Sequence, residues 1–281
     1  MITTREFLAI ERASPERWRM PVDAHTTGGR RGSLFGGVGL AAAIIALEEA
    51  TERPTIWATG QYVSTLEPPC VLELDVSLPA HGRSITQGQV RGHLDDREII
   101  TVLGANGSRR EELHGVWEHR PRAAPPNRCE TVIREFGHHS IHQHVDIRMA
   151  RGMFSFTGTG TPSGDGNTLL WARMPEVRHD RAAIALMADY NASSVGNAFG
   201  RIVYATSLDN TIRFATALDR SDHDPDTDWV LCENRVEFVG SGFANATCLI
   251  WSDGGALLAT ASQSMALSLP EPDTLPHVTE K

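Results

Sequence analysis

Lysine is nearly missing from this chain: Lys281, the last of 281 residues, is the only one. A Schiff-base lysine, a Walker-type phosphate loop and Ser–Lys catalysis each need an internal lysine, so all three are excluded. Every other cation is an arginine, a bias that fits GC-rich coding and carries no functional weight. No G-x-S-x-G occurs, which removes the nucleophile elbow of serine hydrolases. Cys70, Cys129, Cys232 and Cys248 include no C-x-x-C pair, so a zinc ribbon and a thioredoxin-type motif are absent. Scattered cysteines in a chain this long fit buried thiols in a reducing cytoplasm. The longest apolar run, Leu40–Leu47, is eight residues, against roughly 20 for a membrane span. Met1-Ile-Thr-Thr-Arg-Glu-Phe has no basic segment leading into an apolar one, so no signal peptide is read and a cytoplasmic location is expected. Cations are outnumbered, 26 Lys+Arg against 35 Asp+Glu for a net charge of −9. Nucleic acid is therefore a poor expectation, while an anionic small ligand would need a local arginine patch.

What is present is ordinary for a globular chain, 41% hydrophobic and 22% charged, enough for a sizeable core. At about 150 residues per domain the length suggests two domains or one large one. The Pro/Ala-rich stretch Arg120–Asn127 is the best linker candidate. Thr157–Asn167 reads as a surface loop, and the proline-bearing tail after 270 has no periodicity. The expected division is 1–119, a linker at 120–142, 143–269 and a tail at 270–281.

Between these breaks one order of elements occurs twice. Leu34–Glu52 reads as a buried helix entered through Gly36-Gly37, followed by strand-like runs at Ile56–Leu66, Val71–Leu78, Ser84–Leu94 and Glu98–Ala105. Arg181–Ala192 reads as a second helix, followed by runs at Arg201–Thr216, Trp229–Val239, Phe243–Ser252 and Ala256–Ser268. Ile56-Trp57-Ala58-Thr59 resembles Val203-Tyr204-Ala205-Thr206, a faint mark of duplication. An antiparallel sheet needs one face covered, and one long apolar helix per half can cover it.

Phe35-Gly36-Gly37 opening an apolar helix, the helix bearing Asp189, then Thr206-Ser207-Leu208-Asp209-Asn210-Thr211 and finally Ala259-Thr260-Ala261-Ser262-Gln263 resemble the acyl-CoA thioesterase II family over roughly residues 20–268. The resemblance implies an α+β double hotdog, two helix-plus-antiparallel-sheet repeats side by side. It implies hydrolysis of acyl-CoA to free acid and CoA, with no cofactor or metal, by a water held by Asp189, a hydroxyl and Gln263. The hydroxyl is Ser207 or its neighbour Thr206; adjacent strand residues point to opposite faces, so only one can serve. The partner implied is the acyl-CoA substrate, with no nucleic acid and no membrane, and further association into a homo-oligomer is open. Two departures stand out: Val38 where the family often has Gln, and Asn210 where it often has His. Both bear on substrate range more than on fold.

Each residue has a plain chemical reading beside the resemblance. Asp189 lies in an apolar helix stretch, where a carboxylate is costly unless hydrogen-bonded or raised in pKa; it can serve as general base or simply bond to local backbone with Asn191. Ser207 and Gln263 each donate and accept, so both can hold a water. Gly36 and Gly37 would present free N–H groups at a helix N-terminus, suited to a developing oxyanion, or would serve only close packing. Matching the halves at Trp57-Ala-Thr and Tyr204-Ala-Thr puts Ser207 on Gly60, with Gln263 near Gly104 or Ala105 and Asp189 near Ile44. That predicts one working site per chain, polar groups from the second half and backbone donors from the first.

Other clusters read differently. His138–His144 could ligate metal, with His142 and His144 on one face of an extended segment, but a solvated connector is the expectation. Asp222–Asp228 echoes a calcium loop, yet Thr227 stands where such a loop needs Gly. Arg30 and Arg31 are candidates for meeting an anionic CoA head. A hydratase or dehydratase on acyl thioesters is the alternative reading, and a non-catalytic acyl-CoA-binding protein a third. The hydratase generally wants a His, and none is near the proposed residues in sequence.

Overall fold

The computed structural model describes residues 1–29, 32–109, 113–132, 140–215, 218 and 229–270. Arg30 and Arg31, His138 and His139, and the Asp222–Asp228 segment lie outside the described residues, so those readings have no structural counterpart.

One sheet of 14 strands carries the fold. The first half contributes, from its outer edge inward, Glu11–Ser14, Arg17–Val22, Cys70–His81, Ile85–Leu94, Arg97–Gly107 and Thr55–Tyr62. The second continues from the seam with Asp209–Phe214, Leu257–Ser268, Phe243–Ser252, Val230–Gly240, Asn167–Arg173, Asp146–Arg151 and Glu130–Thr131, while Tyr204–Ser207 also pairs with Leu257–Ser268. Neighbouring strands in it pair antiparallel. Thr55–Tyr62 and Asp209–Phe214 join the halves, with Thr59 opposite Thr211 and their hydroxyls 2.6 Å apart. The first half therefore has two sheet strands before its helix and the second has three, all outside the expected repeat of a helix and four strands. Arg17–Val22 is short and has Pro21 inside it, and Asn167–Arg173 is buried on both faces, so neither shows a long clean alternation.

The helices are Gly36–Thr51 and Arg181–Ala188. The first is buried from Gly37 to Leu47 and the second from Ala182 to Ala188, because small Ala and Gly side chains let each lie against both sheet and neighbouring helix. The two run antiparallel. The start of the first touches the end of the second at Gly37 and Leu186, and Arg181 at the start of the second lies by Glu48 near the end of the first. The second helix stops at Ala188, four residues before the expected end, and the chain tightens into a 3-10 segment at Asp189–Ser194.

The connector between the halves is held more closely than expected. Ala123 packs on the outer face of the second half beside Trp171, whose Nε1 donates to Ala124 O at 2.8 Å, and Glu130–Thr131 is already an edge strand of that half. His142 corrects the expectation of a solvated connector. It is buried in a 3-10 turn at Ile141–His144, its Nδ1 2.8 Å from Tyr190 Oη and its ring against Phe35. His144 lies instead among Phe7 and His25. The turn, unlike an extended strand, sends the two imidazoles to different neighbours.

Candidate active site

Asp189 sits where the second helix ends against the start of the first. Phe35, the N-cap of the Gly36–Thr51 helix, has no side chain able to cap it. Asp189 caps the helix from across the seam: its Oδ2 accepts from Gly37 N at 2.8 Å. The helix dipole and the orphan N–H both favour an anion there. The bond also corrects the expectation that Gly37 N–H is free for an oxyanion; it holds the carboxylate instead. Gly36 N–H has no such partner among the described residues.

The other carboxylate oxygen gathers the second half's polar groups. Asp189 Oδ1 accepts from Gln263 Nε2 at 2.6 Å and from Asn210 Nδ2 at 3.3 Å. Gln263 Nε2 also donates to Ser207 Oγ. Asp189, Asn210 and Gln263 are buried. Burial raises the Asp189 pKa above the usual carboxylate value, and the bonds from Gly37, Gln263 and Asn210 oppose the rise. The alternative of local backbone bonding by Asp189 and Asn191 is not what forms, since the partners of Asp189 lie 21 to 152 residues away.

The hydroxyl question is decided by strand alternation and one irregularity. Thr206 is exposed, whereas Ser207 points inward to Gln263. Ser207 lies opposite Met265 but Thr211 lies opposite Ser262, a one-residue slip around Leu208. That bulge lets Ser207 and Asn210, three residues apart, both face inward, Ser207 to Gln263 and Asn210 to Asp189.

Two groups outside the expected set complete the surroundings. Tyr62, at the end of the first half's seam strand, is half-buried with its Oη shielded from solvent, and that Oη has no hydrogen-bond partner of good geometry. A Cβ built on Gly36 would stand 3.0 Å from Asp189 Oδ2 and 3.1 Å from Tyr62 Oη, so both groups face the space a side chain at 36 would fill. Gln263 Oε1 and Asn210 Oδ1 are likewise buried without partners. Nothing in the sequence singled out Tyr62, because its relation to Asp189 exists only across the seam.

The corresponding place in the other half is filled. Thr55 lies opposite Asn106 and Ser207 opposite Met265, each just before a register slip. Gly92 pairs with Ile100 as Ile250 pairs with Ala259. These registers match Gln263 to Gly104 and Ser207 to Thr55, correcting the expected Gly60. Aligning the helix N-caps Phe35 and Asp180 puts Arg181 in the position of Gly36. Its guanidinium covers Phe214, bonds Thr55 O at 3.0 Å and lies 3.8 Å from Glu48, which accepts Thr55 N–H.

A family model described as the acyl-CoA thioesterase C-terminal domain matches residues 118–267, more than half of the chain. The chain belongs to the acyl-CoA thioesterase family. Its reaction is the hydrolysis of acyl-CoA thioesters. No curated protein matches it in sequence. Among solved structures it is similar to a protein assigned as a thioesterase from Novosphingobium aromaticivorans, at 26% identity and TM-score 0.80, over 93% of this chain and 99% of that one. A hot dog fold protein of unknown function from Alicyclobacillus acidocaldarius superposes at TM-score 0.81 with 20% identity, covering 95% and 98%. An acyl-CoA thioesterase II from Mycobacterium marinum gives 0.72 with 16% identity over 96% and 98%. The last two likenesses speak to the hotdog fold alone.

Proposed function

We propose that this thioesterase uses one site per chain, at the seam, in which Asp189 activates water against the thioester carbonyl. The water oxygen attacks the carbonyl carbon and its proton passes to the Asp189 carboxylate. The tetrahedral intermediate then collapses, the C–S bond breaks, and the CoA thiolate leaves with that proton. Ser207 and Gln263 orient the water; the Gly36 N–H faces the carbonyl oxygen, and Gly37 anchors the base. The observation that carries the reading is a buried carboxylate bonded by donors from both halves and raised in pKa by burial, the combination expected of a general base. Arg181 and Phe214, occupying the corresponding place, support a single site.

The hydratase reading is weaker on the same ground: among the described residues no histidine bonds Asp189, Ser207 or Gln263, and His142 bonds Tyr190. A cytoplasmic location and a role in lipid metabolism belong to the same proposal, supported by four free thiols and by the reaction itself. Association of the enzyme into a homo-oligomer also remains part of it. The test is thiol release from acetyl-, hexanoyl-, palmitoyl- and benzoyl-CoA by the wild type and by Asp189→Asn. Release by the wild type and a fall of about 10²–10⁴-fold in the variant are expected; an Asp189→Asn enzyme as fast as wild type refutes the assignment.

A further inference from the structure

We propose that Tyr62, contributed by the first half, is a catalytic residue that hydrogen-bonds the thioester carbonyl oxygen and stabilises the oxyanion formed on it. The inference rests on the seam site argued above and adds the donor that site lacks. An oxyanion hole usually combines more than one donor. Gly37 N–H is spent on Asp189 Oδ2, which leaves Gly36 N–H alone on that helix turn. Tyr62 Oη is the hydrogen-bond donor beside the space a side chain at 36 would fill, which it shares with the Asp189 carboxylate. It lies 3.1 Å, and its Cζ 3.0 Å, from the point where a Gly36 Cβ would stand, and Asp189 Oδ2 lies 3.0 Å from that same point.

A buried phenol oxygen without a partner needs an explanation, because leaving a buried hydroxyl unpaired costs stability. A carbonyl oxygen entering opposite Asp189 would supply that partner. The phenol also suits the role chemically. Burial first, then the charges of Asp189 and Asp209, push its pKa well above its ordinary value, while the Asn210 side chain opposes them. It therefore keeps its proton through the neutral range and can donate there. Tyr62 keeps its proton throughout; the proton lost by water goes to Asp189.

The test compares wild type, Tyr62→Phe and Asp189→Asn on hexanoyl- and benzoyl-CoA, together with their unfolding midpoints. Tyr62→Phe removes an oxygen that the Asn210 side chain bonds only with poor geometry, so the midpoint should stay close to wild type, while kcat falls about 100-fold and KM changes little. As a second readout, hexanoyl-CoA labelled with ¹³C at the carbonyl is bound to Asp189→Asn with and without Tyr62→Phe, and the carbonyl infrared band is recorded. The band should move to higher frequency when the phenol is lost. Tyr62→Phe turning over within twofold of wild type, or an unmoved band, overturns the donor role and leaves the role of Asp189 standing. Full turnover by Asp189→Asn alongside a crippled Tyr62→Phe removes the base and keeps the donor. No thiol release by the wild type would remove both.

Discussion

The adjacent glycines at the helix entrance should respond in opposite ways to the same substitution. At Gly37 an alanine methyl would stand 2.7 Å from Leu186 O, 2.9 Å from Asp189 Cβ and 3.0 Å from Leu186 Cα. Two of these are backbone atoms of the neighbouring helix, so only a shift of one helix against the other relieves the overlap. Overpacking of that kind costs about 1–3 kcal/mol, and at about 2–4 °C per kcal/mol for a domain of this size the melting point should fall visibly. At Gly36 the nearest atoms, at 3.0–3.1 Å, belong to the ends of the Asp189 and Tyr62 side chains. These can give by a few tenths of an ångström, and Ala gains about 0.5–1 kcal/mol over Gly in a helix, so stability should stay within about 1 kcal/mol of wild type. The methyl nevertheless occupies the space both groups face, and activity should drop by about 100-fold or more, the order seen when reacting groups are displaced by about 1 Å. Denaturant melts and thiol release on both variants check this. Full activity in Gly36→Ala, or unchanged stability in Gly37→Ala, would show that the reacting carbonyl does not enter there or that the helices are not in contact as described.

Ser207→Ala should lower kcat by about tenfold, the worth of one hydrogen bond, whereas Thr206→Ala should stay within about twofold because that side chain faces solvent; steady-state kinetics on the pair decides between the two hydroxyls. The acid limb of kcat/KM should lie above the ordinary carboxylate pKa, since burial raises Asp189 and only its ionised form accepts the proton from water; a limb at or below that value would argue against Asp189 as the base. Arg181→Ala should destabilise the fold by about 1–3 kcal/mol, because the half-buried Glu48 loses its cation and Thr55 O its donor. Glu48 is raised in the folded state, mainly by burial, so its contribution is most favourable below the unfolded pKa and declines as pH rises through the folded one. The loss in Arg181→Ala should accordingly be larger at pH 8 than at pH 5 in denaturant melts, and an equal loss at both would refute the pairing.

Much of this protein could be read from its residues alone. The two buried helices announce themselves by unbroken Ala, Ile and Leu, and the late strands of each half by alternation, because both signals are local. Asp189 and Gln263 stood out only through the resemblance to the acyl-CoA thioesterase II family; taken alone, each reads as an ordinary structural residue. What could not be read depends on contacts between distant segments. The early strands, short or buried on both faces, carry no distinctive period. The seam decides the rest: it sets Ser207 rather than Thr206 inward through a single bulge, engages Gly37 N–H with a carboxylate 152 residues away, and brings Asp189 of the second half to the space that Gly36 and Tyr62 of the first half share. His142 shows the same limit, since a polar run in a connector looks solvated until the tertiary fold closes Phe35 and Tyr190 around it. Propensity and pattern describe what a segment prefers by itself; which donor faces which acceptor is fixed only when two half-sheets meet edge to edge and their register is set.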